Sequence, residues 1–299
     1  MPSGARIALL TACALWAVSF VATKVALEAA PPMVVVSLRL LISAVCFLPW
    51  LMVAGGRGSD GTSWGIGGAV GWGRIVWLSL LGTGLHYGLQ TVGLQYTTAS
   101  RASLYAVTAP ITILLLSALF LGERITRRKT LGVTLAVAGV LVVMGIDTLA
   151  ALRLDANVIG DLLVLVSIVM WGLFTVFGKR AADQLGALRV TAVVTVIGAL
   201  WMAPIGWIEM RRTGFSLARM QLDSWLAVAF LGVGCSFLAT LLYFVALERT
   251  ESQKVGVYLY TIPPMTAVVA TLYLGEVISV ELVVGAILVI AGVALTERG

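Results

Sequence analysis

The side chains in this sequence that could take part in chemistry are few, and most of them lie inside long apolar stretches. His86 is the only histidine, and Tyr87 and Gln90 follow it within about one helical turn. At helical spacing, His86 and Gln90 fall on one face and Tyr87 on the adjoining one. Polar groups inside an apolar helix face protein or water, so they predict either hydrogen bonds between helices or contacts to a substrate.

Aromatic residues at matched positions form a second group of candidates for a binding cavity. Trp16 and Trp171 lie at an offset of 155, and Tyr105 and Tyr258 lie at an offset of 153. Aromatic walls with a few hydroxyls suit a small zwitterion or a moderately apolar metabolite, because ligand sites are mostly apolar with a few placed polar groups. Packing in a core is the alternative for each ring taken singly. Two further tyrosines complete the predicted set: Tyr243 and Tyr260.

Two prolines at matched positions, Pro110 and Pro263, are candidates for hinges. Each falls near the middle of a stretch that is predicted to cross the membrane as a helix. Proline removes a backbone donor and its ring clashes with the preceding turn, so a kink is predicted at the same place twice. Such a kink serves as a hinge, leaves carbonyl groups facing a cavity, or is a static feature of packing.

The residue types that most enzymes need are missing from the apolar stretches. No aspartate or glutamate lies near the middle of a predicted span, and no cluster of histidine, cysteine and acidic residues suggests a metal. We therefore predict no catalytic residue, no metal site and no cofactor, and a protein that is not an enzyme. A channel is disfavoured because charged rings and a repeated filter are absent. Since proton-driven carriers commonly rely on an intramembrane carboxylate, facilitated export or exchange is predicted over proton antiport.

The elements that must position these residues are predicted to be transmembrane helices. The 299 residues are 60% hydrophobic and 11% charged, whereas soluble domains carry roughly 25% charged residues. Mean hydropathy is +1.03. Basic residues lie mostly in short gaps between apolar runs, which is typical of membrane topology and argues against a nucleic-acid partner despite the net charge of +6. The predicted surroundings of the chain are therefore the lipid bilayer.

Ten segments are long and apolar enough to cross the bilayer as helices, which takes about 20 residues each. They cover residues 5–28, 33–54, 74–95, 98–121, 129–147, 158–180, 187–208, 222–247, 254–274 and 281–297. The predicted fold is thus an all-α membrane protein.

The chain also repeats itself. Besides the matched aromatic residues and prolines, Lys24 recurs as Lys179, and the Leu-Gly-Glu sequence ending at Glu123 recurs at Glu276. Because five helices per copy is an odd number, the second copy enters the membrane from the opposite side. We predict two inverted five-helix repeats, residues 1–147 and 158–297.

Basic residues support this inversion and orient the chain. Four of them follow the fourth predicted helix, whereas residues 277–281, at the equivalent place in the second copy, contain none. Because cytoplasmic loops carry the excess of lysine and arginine, the equivalent loops are predicted to face opposite sides and both termini to be cytoplasmic. The four basic residues are Arg124, Arg127, Arg128 and Lys129.

This combination resembles the drug/metabolite transporter superfamily, and within it the bacterial EamA-type exporters. The resemblance rests on an early tryptophan in each half, a proline in the fourth helix and the Leu-Gly-Glu sequence that follows it. Several of those exporters carry amino acids. The resemblance implies a secondary transporter that exports small metabolites, amino acids foremost, by alternating access through a central cavity between the halves. It also implies a multi-pass protein of the bacterial inner membrane. A monomer and a homodimer both fit the sequence.

Transporters of sugar phosphates, nucleotide sugars or drugs in the same superfamily are the alternative. Phosphorylated cargo calls for arginine or lysine deep in the cavity. Only Arg39 and Arg101 are candidates, both towards one side of the membrane, and Arg39 is predicted to form a structural ion pair with Glu28. A zwitterion therefore fits the sequence better.

Other residues are predicted to support the structure. Glu123 and Glu276 end helices, where they are expected to hold basic groups or backbone amides rather than substrate. Small residues are expected to let the fifth and tenth helices pack together as a scaffold, with a dimer face as the alternative: Gly132, Gly139, Gly145, Gly285 and Gly292.

Overall fold

The computed structural model describes residues 3–54, 70–121, 126–144, 156–243 and 258–297, and all regular structure within these ranges is helical. Each of the ten predicted segments contains helix. The α-helices are α1 (Ser3–Ala29), α2 (Pro32–Ala54), α3 (Trp72–Ser79), α4 (His86–Tyr96), α5 (Ala99–Ala106), α6 (Ala109–Leu121), α7 (Arg127–Met144), α8 (Ala156–Leu185), α9 (Ala187–Thr213), α10 (Leu222–Ala229), α11 (Ile262–Leu274) and α12 (Val280–Glu297).

Two π-helical stretches interrupt the α-helices. The first π segment, Leu80–Leu85, joins α3 to α4, and the second π segment, Phe230–Ala239, follows α10. A short 3-10 turn at Leu217–Arg219 precedes α10. Both π segments lie in the predicted third and eighth spans, which are equivalent in the two copies.

Six helical runs among the described residues are long and apolar enough to cross a membrane, and α11 and α12 are shorter apolar helices. An all-helical, multi-pass membrane protein is therefore confirmed, while the number of ten spans stays a prediction. The six runs are Arg6–Ala29, Pro32–Pro49, Ala99–Phe120, Ala156–Gly178, Leu188–Thr213 and Leu222–Tyr243.

Two glutamates that are distant in the sequence accept hydrogen bonds from backbone amides at the starts of other helices. Glu209 accepts hydrogen bonds from the backbone amides of Met33 (2.7 Å) and Val34 (3.0 Å) at the start of α2. Glu276 accepts two more from the first residues of α5, at 2.6 and 3.1 Å. A carboxylate placed there satisfies free amides and favours the helix dipole. The expected role of Glu276 is thus confirmed, and Glu123 lies outside the described residues.

The helix is interrupted just before each of the two matched prolines and does not bend as one continuous helix. The fourth segment divides into α5 and α6 at Val107 and Thr108, and Pro110 is the second residue of α6. In the ninth segment, Pro263 is the second residue of α11, after a turn at Tyr260 and Thr261. Proline is tolerated in a first helical turn because the amide it lacks has no helical partner there. The predicted interruption of the helix therefore occurs at both prolines, as a short turn before each of them and not as a bend within one continuous helix.

Glycines let α7 and α12 approach closely. A Cβ atom on Gly139 would lie 2.7 Å from the carbonyl oxygen of Gly285, and one on Gly285 would lie 2.8 Å from that of Gly139. Gly132 and Gly292 are related in the same way, at 2.5 Å each. These glycines therefore let two helices of one chain pack together as a scaffold. This was one of the two predicted roles, the other being a dimer face. Gly145 lies outside the described residues.

Equivalent helices of the two copies run antiparallel to each other. In the α7–α12 pair, Gly132 opposes Gly292 whereas Gly139 opposes Gly285, so one helix ascends as the other descends. In the α2–α9 pair, the amide of Met33 bonds Glu209, while the hydroxyl of Ser37 bonds the carbonyl of Met202 further back along α9. The contacts between copies are also reciprocal: α1 packs against the second π segment, and α8 packs against the first π segment and α4.

Candidate functional site

The two π segments bring neighbouring side chains close to the helix backbone. Both contain paired glycines, and Phe174 of α8 lies against Gly82 while Ile42 of α2 lies against Gly232. A π-helix is wider than an α-helix and leaves some carbonyl groups without their usual partner, which is one reason why such segments occur often at functional sites. Side chains from the opposite copy reach these segments.

Trp16 contacts the second π segment through its indole group. The Nε1 atom donates a hydrogen bond to the carbonyl oxygen of Cys235 at 3.3 Å, and the same oxygen accepts one from the Thr240 hydroxyl at 3.4 Å. The ring centroids of Trp16 and Tyr243 are 5.2 Å apart. Both residues are half-buried.

His86 stands at the end of the first π segment and lies among aromatic rings. Its Nδ1 atom is 2.9 Å from the carbonyl oxygen of Ser167 in α8. A carbonyl only accepts, so Nδ1 carries the hydrogen in this bond. The imidazole centroid is 5.0 Å from the Tyr87 ring and 5.1 Å from the Trp171 ring. Phe174 continues the group, with its ring 5.4 Å from that of Trp171.

Arg39 joins these two groups of residues. Its Nε atom donates a hydrogen bond to the hydroxyl of Ser236 at 2.8 Å, next to the carbonyl that Trp16 binds. Its guanidinium carbon is 4.1 Å from the centroid of the Tyr87 ring, a cation–π contact. The side chain is only 4% exposed.

The expected ion pair between Arg39 and Glu28 does not form. Glu28 is exposed near the end of α1, whereas Arg39 is buried on α2 and turned towards the second π segment. Within the part of the chain that the structure describes, the ion pair that does form joins Arg101 and Asp161. That prediction was wrong because the partner of Arg39 comes from the other copy.

These contacts form one continuous group, the Arg39 cluster. Its members come from both copies and meet where the two π segments lie against α1, α2 and α8. Apart from the buried Arg39 and Ser236, they are half-buried. The Arg39 cluster consists of Trp16, Arg39, His86, Tyr87, Trp171, Ser236 and Tyr243.

The other predicted cavity residues lie elsewhere. Gln90 is half-buried on α4, one turn beyond His86. Tyr258 and Tyr260 are half-buried and pack against the main hydrophobic core just before α11. Tyr105 is fully buried in that core, which indicates a packing role in this conformation and not the predicted place on a cavity wall.

A buried polar network that was not predicted lies beside Tyr105. Arg101 pairs with the fully buried Asp161 at 2.5 Å and donates a hydrogen bond to the carbonyl of Val143 at 2.7 Å. The Thr97 hydroxyl donates to Asp161, and Lys24 donates to the carbonyl of Thr97 at 2.6 Å. The sequence does contain a sign of this network, because Asp161 lies inside the predicted span 158–180 and Arg101 inside the predicted span 98–121.

Two open cavities lie away from the Arg39 cluster. One of about 480 Å³ lies at the ends of α1 and α9 and includes Glu28, Glu209 and Arg219 among its lining residues. The other, of about 520 Å³, is an apolar groove between α2 and α9 that includes Leu41 and Trp207. Neither of these two cavities is lined by a member of the Arg39 cluster, whose aromatic rings contact one another.

Apolar helices around a polar cluster built from both copies are typical of membrane transporters, and comparison with known proteins identifies the class. The model of the EamA-like transporter family matches this chain twice, over residues 4–145 and 158–298. The chain therefore belongs to the EamA-like transporter family, within the drug/metabolite transporter superfamily. Both the predicted resemblance and the prediction of a transporter instead of an enzyme are confirmed.

Relatives with similar sequences are also named as transporters or exporters. An uncharacterized transporter of Archaeoglobus fulgidus is 29% identical over 94% of this chain and 93% of its own length. The uncharacterized transporter YvbV of Bacillus subtilis is 28% identical over 95% of this chain and 88% of its own. A protein of Streptantibioticus cattleyicolor named "Probable terminal-alkyne amino-acid exporter" is 29% identical over 69% of this chain and 66% of its own.

A solved crystal structure shares the fold. It superposes with a TM-score of 0.67 at 22% identity, covering 99% of this chain and 98% of the other. At that identity the match establishes the fold alone.

Proposed function

We propose that this protein is a secondary carrier that exports small metabolites, amino acids foremost, through a cavity between two inverted five-helix halves. The observation that carries the proposal is reciprocal contact by the matched tryptophans. Trp16 of the first half bonds the second π segment, and Trp171 of the second half packs on His86 at the end of the first. Residues of both halves thus surround one place, as alternating access requires.

Antiparallel packing of equivalent helices supports the inversion. Two copies related by a two-fold axis in the membrane plane bring equivalent helices together in opposite directions, which is how α2 meets α9 and α7 meets α12. We accordingly propose ten spans, with halves at residues 1–147 and 158–297. The distribution of basic residues supports cytoplasmic termini in the inner membrane of a bacterium.

The chemistry of the Arg39 cluster supports amino acids as cargo. Indole and phenol rings bind apolar side chains and attract an ammonium group over their faces. The cluster also offers a hydroxyl, an imidazole and one guanidinium. The relative named as a probable terminal-alkyne amino-acid exporter supports the same substrate class.

Counterflow in proteoliposomes tests the proposed function. We expect labelled amino acids from a panel of neutral ones to accumulate transiently against unlabelled amino acid inside, with saturable rates. Liposomes without protein are the control. Flux that rises linearly with concentration would indicate a channel, and failure of every amino acid to exchange would overturn the substrate class.

We also propose facilitated export or exchange without obligatory proton coupling. Asp161, the fully buried aspartate in a described span, is engaged by Arg101 and Thr97 and lies outside the Arg39 cluster. The proposal predicts counterflow rates that differ little with and without an imposed pH gradient. Uptake that depends strongly on the gradient would contradict it.

A further inference from the structure

We infer that Arg39 binds the carboxylate of the transported molecule, so that transport requires one free carboxylate on the substrate. This inference rests on the proposed function and adds to it the group by which cargo is recognised. It also assigns a binding role to a residue for which sequence reasoning predicted a structural ion pair.

The first argument is the charge of Arg39 itself. Arg39 as a whole is 4% exposed inside an apolar bundle, so its charge has lost much of its hydration and is costly unless it is paired. Within the described ranges, no carboxylate lies within ion-pair distance of Arg39. A buried cation without a partner anion is expected to take one from a ligand.

The second argument is how the guanidinium is held. The hydroxyl of Ser236 accepts from Nε, and the ring of Tyr87 covers one face of the guanidinium plane at 4.1 Å. Among the residues that the structure describes, none accepts a hydrogen bond from Nη1 or Nη2. Nη1 and Nη2 together can donate two parallel hydrogen bonds to one carboxylate, which is bidentate binding. Arg39 is thus fixed in place with donors still available.

The third argument is the charge of the ligand. Arg101, the other candidate for a cation in the cavity, is neutralised by Asp161. The Arg39 cluster therefore offers one positive charge, which matches a carboxylate. A phosphate monoester carries about 1.5 to 2 negative charges at neutral pH, so a single guanidinium compensates it incompletely. A cationic drug would be repelled.

The fourth argument is the place of Arg39 beside the aromatic rings. Tyr87 contacts both the guanidinium and the imidazole of His86, and His86 contacts Trp171. A carboxylate on Arg39 would leave the α-ammonium and side chain of an amino acid next to these rings. Ring faces attract ammonium groups, and their carbon surfaces bind apolar side chains.

The recognition is confined to one half of the symmetric scaffold. At the offset of 155, the residue equivalent to Arg39 is Val194, which is buried in α9. A substrate carboxylate is therefore expected to bind on the side of the second π segment, and the aromatic group of His86, Tyr87 and Trp171 to bind the rest of the molecule.

Competition on the unmodified protein is the first test. In counterflow of labelled phenylalanine and leucine, each amino acid should compete at least about tenfold better than its amide and the amine that lacks the carboxyl group, because a hydrogen bond to a charged group is lost. Equal competition by amide and acid would overturn the inference while leaving the carrier intact. Absence of any exchange would overturn the proposed function itself, so the two failures are distinguishable.

Substitution of Arg39 is the second test. Arg39→Gln should lower the apparent affinity for phenylalanine by about 10- to 100-fold and abolish the preference for acid over amide, whereas Arg39→Lys should keep part of that preference. Arg74→Gln is the matched control, since Arg74 donates to the carbonyl of Phe177 away from the cluster. An acid-over-amide preference that is unchanged in a folded Arg39→Gln protein would overturn the inference.

Discussion

The two π segments lie at equivalent places in the two copies but make different contacts. Both follow a short α-helix and contain two glycines against which the other helices pack. At the offset of 150 that matches these glycines, His86 in the first copy corresponds to Ser236 in the second. His86 bonds a backbone carbonyl and packs on rings, whereas Ser236 holds the guanidinium of Arg39. Duplication thus supplies a symmetric frame, and different residues at equivalent positions make the two halves chemically different.

The largest difference between the segments is expected in how each tolerates an added methyl group. In Gly232→Ala, the new Cβ would lie 2.6 Å from the branched Cβ of Ile42, which is fixed to its backbone. In Gly82→Ala, it would meet the Cγ and Cδ2 atoms of Phe174 at 2.7 Å, and this half-buried side chain has to rotate about χ1 to relieve the contact. Overpacking costs about 1–3 kcal/mol, so Gly232→Ala should be destabilised by that amount.

Gly82→Ala should be destabilised less than Gly232→Ala, because only a side chain has to move and alanine gains up to about 1 kcal/mol in helix propensity. Thermal unfolding of the two variants and the unmodified protein in the same detergent measures the difference. Equal melting temperatures for the two variants would show that the packing against the segments is alike.

The second-largest difference is expected between Trp16 and Trp171, in how much each contributes to transport. Trp16→Phe keeps a ring but loses the hydrogen bond to Cys235, whereas the indole N–H of Trp171 donates no hydrogen bond to any residue that the structure describes. Loss of one hydrogen bond costs about 1 kcal/mol, so transport by Trp16→Phe should be weakened roughly fivefold more than by Trp171→Phe. Initial counterflow rates at low substrate concentration test this order, and the reverse order would contradict the assigned contacts.

The smallest expected difference concerns the breaks at the matched prolines, which we propose as hinges. Pro110→Ala allows α5 and α6 to join into one helix and should lower the maximal transport rate with little change in the half-saturating concentration. Pro263→Ala should have less effect because Pro264 follows it. Kinetic curves for both variants test the proposal. A changed affinity with an unchanged maximal rate would indicate that the breaks shape the site instead.

Much of the fold could be predicted because its determinants are local or repeated. Runs of about 20 apolar residues are visible in the sequence, and the internal repeat showed which segments correspond. The packing of α7 on α12 followed from glycines at equivalent positions, since close contact of membrane helices favours small residues. The π segments could not be predicted, because a few residues of wider helix scarcely change the hydrophobic pattern.

The site was predicted less completely because its contacts join distant parts of the chain. Glu28 is near Arg39 in the sequence, but the hydrogen-bond partner of Arg39 is Ser236, which is 197 residues away. Tyr105 and Tyr258 look alike as a repeat pair, yet only Tyr105 is fully buried. The pairing of Asp161 is not evident from the sequence, because Asp161 lies near one end of its span and its partner Arg101 comes from another helix.

Binding of a transported amino acid to the purified protein tests most directly the claim that both halves build one site. Isothermal titration of the unmodified protein, Trp16→Ala and Trp171→Ala should give one molecule bound per chain. Affinity should be lower in both variants by at least about tenfold, as expected when a buried aromatic contact is removed. An affinity that is unchanged in either variant would contradict a single site between the two halves.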